Sequence, residues 1–288
     1  MIALELVSLT PVMERTSGRP EIVIALIDGP VLMQDAALWS NNVRQFRGNL
    51  PATCAQASSA ACMHGTFVAS IVAAKRGSGA PAICPDCTLL VRPIFSEADK
   101  ENGQMPSATA DELAQAIVDA VNSGASVLNF SVSVAEASVA GQEQLEQALN
   151  YAAAHDVVTV QAAGNQGMVG GSALTSHAWA IPVIACDDSG RPLASSNLSA
   201  STAKRGLRAP GENIPVIGGD AAVSTISGTS AAAPFVAGAA ALLRSAFPRA
   251  SAAAVKLALT SRKSGQRLSL VPPLLNAWTA YQALAGTA

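Results

Sequence analysis

The feature that most constrains this chain is an alternation. Short runs that are apolar at nearly every position give way to turns and then to segments with helical spacing. Ile22 to Ile27 is the first such run and stops at Asp28-Gly29-Pro30, a strand followed by turn residues. Strand patterns recur at 89–95, 126–132, 157–162 and 179–185, and helical patterns at 65–74, 111–122, 142–154 and 231–247. A strand apolar on both sides is covered on both sides, and strands separated by helices pair in parallel. The sequence therefore predicts an α/β fold: a single three-layer domain with a mostly parallel central sheet and helices on both faces. Residues 1–20 precede the first strand and read as an N-terminal extension, with 21–288 as the domain itself. No repeat, low-complexity tract or linker rich in Pro, Gly or Ser divides it.

Composition narrows the function classes. Half of the 288 residues are hydrophobic and 13% are charged, enough to bury a large core. The net charge of -2 offers no basic field for nucleic acid or an anionic membrane, so neither is an expected partner. The uncharged stretch 221–243 is long enough to span a bilayer, but its Ser, Thr, Gly and Pro residues fit a buried core segment better. The N-terminus has Glu5 inside its only apolar stretch and no basic residue before it, unlike a secretory signal, so a cytoplasmic location is expected. Cys54, Cys62, Cys84 and Cys87 form two local pairs and Cys186 is left over. Disulfides, buried thiols and a thiolate metal site all remain open for them.

Chemistry concentrates in short segments at strand-to-turn and turn-to-helix junctions. Asp28-Gly29, His64-Gly65-Thr66 and Gly228-Thr229-Ser230 bring a carboxylate, an imidazole and a hydroxyl. Those are the parts needed to activate a serine, whose hydroxyl is a poor nucleophile until a base held in one tautomer takes its proton. There are three histidines. His155 lies between a helix and a strand, where a solvated turn residue is ordinary, and His177 lies in a polar turn. His64 opens an apolar helix and is followed by glycine, so another segment can approach it closely. A fourth segment, Ala163-Gly164-Asn165, ends a buried strand on an amide able to donate to a developing oxyanion.

These four segments, in this order, resemble the subtilisin-like (subtilase) serine proteases over nearly the whole chain. The serine segment Gly228 to Gly238 is the most specific of them. Val127 to Ser131 and Leu275-Asn276-Ala277 are also similar to framework segments of that family. The alternative serine-hydrolase signature G-x-S-x-G is absent. The resemblance implies a subtilisin-like fold and a serine endopeptidase needing no cofactor. It implies Ser230 as nucleophile, His64 as base and then acid, Asp28 as its orienting partner, and Asn165 with the Ser230 N–H as oxyanion donors. It further implies a peptide or protein substrate lying as an added strand between 129–133 and 102–104, with Gly103, Ser131, Val132, Ser133, Ala163 and Gly164 as binding residues.

The chain also departs from the family pattern. Asp28 is followed by Gly29-Pro30 instead of a small hydroxyl residue and glycine. Phe67, Ala231 and Phe235 replace a common second histidine, a methionine and another histidine. Ser133 stands where glycine is typical, beside the specificity pocket. The loop Lys75 to Pro81 lacks the carboxylate or amide that the common calcium site uses, so no metal is expected there. Asp28-Gly29-Pro30, with Ile83 to Cys87 and Arg92 to Phe95, is similar to the subtilases that mature cyanobactin precursor peptides. That subgroup implies narrow peptide cleavage; general protein degradation and a catalytically silent binding protein are the competing readings.

Overall fold

The computed structural model describes residues 2–33, 39, 42–97, 108–131, 139–218, 222–261 and 269–286. Its elements run α1 (Ile2–Leu6), α2 (Thr10–Met13), β1 (Val23–Asp28), β2 (Val43–Gln45), α3 (Ala60–Ala73), β3 (Thr88–Pro93), α4 (Ala110–Asn122) and β4 (Val127–Phe130). They continue as α5 (Val139–Ala154), β5 (Val158–Ala162), α6 (Ala173–Ser176), β6 (Ile181–Cys186), α7 (Ala200–Arg205), β7 (Leu207–Pro210) and β8 (Ile214–Ile217). Last come β9 (Val223–Ile226), α8 (Thr229–Ala246), α9 (Ala252–Thr260) and α10 (Ala277–Ala285).

Seven strands form one parallel sheet in the order β2-β3-β1-β4-β5-β6-β7, and β8 and β9 form a separate antiparallel hairpin. Strand β1 explains why the runs looked apolar throughout. Its alternate residues feed two cores: Ile24 and Leu26 face the side of α3 and α8, while Val23, Ala25 and Ile27 face the side of α4 and α5. Strands β1 and β4 are neighbours whose outgoing connections run in opposite directions, β1 toward β2 and β4 toward β5. In open parallel sheets the crevice beyond the strand ends at such a reversal is where ligands bind.

Helix α8 is buried on nearly every side, which its Ala-rich sequence permits. A Cβ on its Gly238 would come within 2.6 Å of the Ile83 side chain, so the helix packs at closer than ordinary range. Within the uncharged stretch, residues 223–226 form β9 and residues 229–243 belong to this core helix. No helix among the described residues is long and apolar enough to cross a membrane.

Most boundaries shift by a few residues from the sequence reading, and two of the shifts bear on the candidate site. Helix α3 begins at Ala60, where Ser59 caps it by accepting the Cys62 N–H at 3.2 Å, so His64 sits in its second turn and does not open it. The strand expected through Val132 ends at Phe130, and Val132 lies outside the described residues. Residues 2–20 pack into the main core through Val7, Leu9 and Val12, and Arg15 lies 4.2 Å from the Trp278 ring of α10. The loop 75–81 contributes to this docking: Arg76 donates to the carbonyls of Met13 (2.8 Å) and Thr16 (3.1 Å).

Of the three cysteine readings, the structure takes the disulfide one, joining Cys54 to Cys62 and Cys84 to Cys87. Disulfides persist in oxidising surroundings, an argument that pulls against the cytoplasmic expectation. Cys186 is free and buried, and burial pushes its thiol up to about 12, which leaves it inert.

Candidate active site

Asp28 is the last residue of β1 and is fully buried. Its Oδ1 accepts the Gly29 N–H at 2.6 Å and faces His64 Nδ1 at 2.7 Å. Helix α3 reaches this position because Gly29 and Gly65 let two backbones touch. A Cβ on Gly65 would lie 2.4 Å from the Pro30 carbonyl oxygen and 2.6 Å from that of Gly29, and a Cβ on Gly29 would lie 2.0 Å from the Ala61 oxygen. Thr66 locks the same contact by accepting the Leu32 N–H at 2.9 Å. Gly65→Ala is therefore expected to cost about 1–3 kcal/mol as overpacking. Calorimetry should read this as a melting temperature several degrees lower, and an unchanged melting temperature would contradict the close approach.

Burial works against the charged form of His64, while the Asp28 charge and the hydrogen bond to it work for it. The balance raises its pKa above the ordinary 6.5. The other two histidines stand apart. His155 is exposed, with Nδ1 2.8 Å from the Tyr151 carbonyl, and His177 has Nε2 3.2 Å from Asn150 Oδ1.

Ser230 is the second residue of α8, at the end where helix N–H groups and the dipole favour negative charge. Gly228 precedes the helix at φ +121°, a conformation that favours glycine, and it has no side chain to cap with. Asn165 does that work: its Oδ1 accepts the Thr229 N–H at 2.8 Å. Thr229 Oγ1 in turn accepts the Gly164 N–H at 3.1 Å, so the strand end and the helix start are tied in both directions. With its oxygen held, the exposed Asn165 amide has its N–H₂ end left for another acceptor.

Ser131 follows β4 and is buried. Its carbonyl accepts the Ser230 hydroxyl at 3.4 Å, so Ser230 Oγ is bonded there and not to His64. Behind it, Asn129 Nδ2 donates to Ser131 Oγ at 3.0 Å. Ala163 is buried and continues the ladder by donating to the Val183 carbonyl at 2.9 Å. The Gly164 carbonyl accepts the Asn197 N–H at 2.9 Å, so both backbone polar groups of Gly164 are engaged within the protein. Gly103, Val132 and Ser133 lie outside the described residues. The structure thus brings Asp28 to His64, Ser230 to Ser131, and Asn165 to the start of α8. The supporting bonds of Thr229 and Asn129 were not singled out from sequence, because neither has a local signal.

The subtilase (peptidase S8) family model matches residues 20–271. A thermostable alkaline protease of Halalkalibacterium halodurans is 33% identical over 187 residues, 64% of this chain and 48% of that protein. The chain spans about half the length of the first curated relatives it matches. Among solved structures, a mutant of the protease domain of PatA is similar at a TM-score of 0.81 and 30% identity, covering 94% of this chain and 98% of that one. The prenylagaramide maturation protease PagA is similar at 0.82 and 28%, covering 96% and 98%.

Proposed function

We propose that this chain, which belongs to the subtilase family, is a serine endopeptidase that cuts a narrow set of peptides. The observation that carries the reading is the buried Asp28 carboxylate held to His64 Nδ1 at 2.7 Å, on a helix, α3, that packs against the helix α8 carrying Ser230 in its first turn. In this reading Asp28 fixes the His64 proton on Nδ1, which leaves Nε2 free to accept the Ser230 proton. Ser230 Oγ exchanges the Ser131 carbonyl for His64 Nε2 and attacks the scissile carbonyl. Catalytic hydrogen bonds commonly tighten in this way when substrate binds. Negative charge developing on the carbonyl oxygen is taken by the Asn165 amide and the Ser230 N–H. His64 then returns its proton to the leaving amine.

Substrate enters as an extended strand along Ser131, Val132 and Ser133, with Gly103 opposite and Ala163 and Gly164 beside the reacting bond. Narrow peptide maturation is favoured over general degradation by the names of the similar solved structures and by the chain's own Asp28-Gly29-Pro30 and Cys84 to Cys87 segments.

Treatment with a fluorophosphonate should add a single adduct to the wild type by intact mass and none to Ser230→Ala. A folded wild type that takes up no label would overturn the enzyme assignment in favour of a silent binding protein. Efficient digestion of casein would overturn the narrow-substrate part alone.

A further inference from the structure

Helix α8 carries a proline at an unusual place. Pro234 lies inside it, four residues beyond Ser230. A residue there normally donates its N–H to the Ser230 carbonyl. Proline has no N–H, and its ring presses against the carbonyl four residues back. The residue that supplies the hydroxyl is therefore left with a backbone oxygen lacking its helical donor, in a part of the fold where unpaired polar groups are costly.

A side chain from the sheet faces that oxygen. Ser131 Oγ donates to the Ser230 carbonyl at 3.4 Å. The direction of this hydroxyl is set from behind, because Asn129 Nδ2 donates to the same Ser131 Oγ. An oxygen that accepts from Asn129 is left to aim its own hydrogen elsewhere. Asn129 itself is fully buried, on the α8 side of β4, and pairs in register with Leu26 of β1. The Ser230 hydroxyl closes a ring by donating to the Ser131 carbonyl at 3.4 Å.

We propose that Ser131 is a positioning residue: its hydroxyl, oriented by Asn129, replaces the donor that Pro234 cannot supply and fixes the first turn of α8. This rests on the reading of Ser230 as nucleophile. A shift of that turn moves the attacking oxygen and the Ser230 N–H together, and small misplacements of reacting groups cost large factors in rate. The role is separate from substrate contact through the Ser131 carbonyl, which Ser131→Ala retains.

The test is a double-mutant cycle on Ser131→Ala and Pro234→Ala, read by the second-order rate of fluorophosphonate labelling. That probe has no peptide strand and so reports on the activated serine and its base without any contribution from strand binding. Ser131→Ala is expected to slow labelling about tenfold when Pro234 is present. In the Pro234→Ala background, whose restored N–H takes over the carbonyl, it should slow labelling by less than about threefold. Thermal unfolding of the same four proteins should show a matching pattern. Ser131→Ala strips Asn129 Nδ2 of its acceptor in both backgrounds, and beside Pro234 it should lower the melting temperature by about a further 2–4 °C, the excess that disappears in the Pro234→Ala background. An equal loss in both backgrounds, or no loss in either, overturns the proposal. The thermal cycle decides the matter even if the wild type takes no label, an outcome that would sink the catalytic reading and not this one.

Discussion

Asp28→Asn is expected to lower kcat/KM on a cleavable peptide by about 10⁴ while leaving the fold in place. The size follows from the tautomer. The carboxylate accepts from His64 Nδ1 at 2.7 Å, which holds the ring proton on that nitrogen and leaves Nε2 with its lone pair. An amide turned with its N–H₂ toward the ring reverses the preference, placing the proton on Nε2, where it blocks removal of the Ser230 proton. A loss of less than about tenfold would remove Asp28 from the proposed role.

The pH profile gives the same substitution a second, sign-specific readout. In the wild type His64 titrates above 6.5, because the Asp28 charge and hydrogen bond together outweigh the lowering effect of burial. The base works only when neutral, so labelling by fluorophosphonate should fall on the acid side with a midpoint above 6.5. Without the Asp28 charge, burial acts alone and that midpoint should move below 6.5. Stability runs the other way. A raised folded-state pKa contributes stability that is complete below the unfolded value of 6.5 and is lost as pH rises through the folded value. The melting-temperature gap between wild type and Asp28→Asn should accordingly be wider on the acid side of that window than on the alkaline side.

The parts of this molecule that were legible in the sequence are those with a local cause. An apolar strand ending in Asp28-Gly29-Pro30 announces its own turn, and glycine after His64 announces a close approach, which the Gly29 and Pro30 carbonyls make. The parallel sheet could be read because strands buried on both faces carry no alternation. The start of α3 was not legible: its first turn, Ala60-Ala61-Cys62-Met63, has no polar and apolar rhythm, and Ser59 is one of several serines nearby. Edge strand β2 has three residues, of which Arg44 and Gln45 are exposed, so no buried run marks it. The docking of residues 2–20 onto α10 and the Asn129–Ser131 bond join groups by tertiary contact, and neither one-dimensional periodicity nor spacing encodes them.

The amide of Asn165 shows how one such contact shapes the chemistry, because its two ends have different duties. Its oxygen caps α8 through the Thr229 N–H, and its nitrogen is the end proposed to meet the oxyanion. Asn165→Ala removes both. It should lower kcat by about 10²–10³ with little change in KM, since the donor acts on charge present only in the transition state. It should also lose about 0.5–2 kcal/mol of stability with the cap. Asn165→Asp separates the two effects. A carboxylate still accepts the Thr229 N–H, so stability should hold near wild type, but it offers no donor and sets a negative charge where the oxyanion forms. Turnover should then fall at least as far as in Asn165→Ala. A kcat loss below about threefold in the alanine variant would dismiss the oxyanion role. A melting temperature that drops as far with aspartate as with alanine would dismiss the cap, and with it the argument that Thr229 aims the amide nitrogen by holding the oxygen.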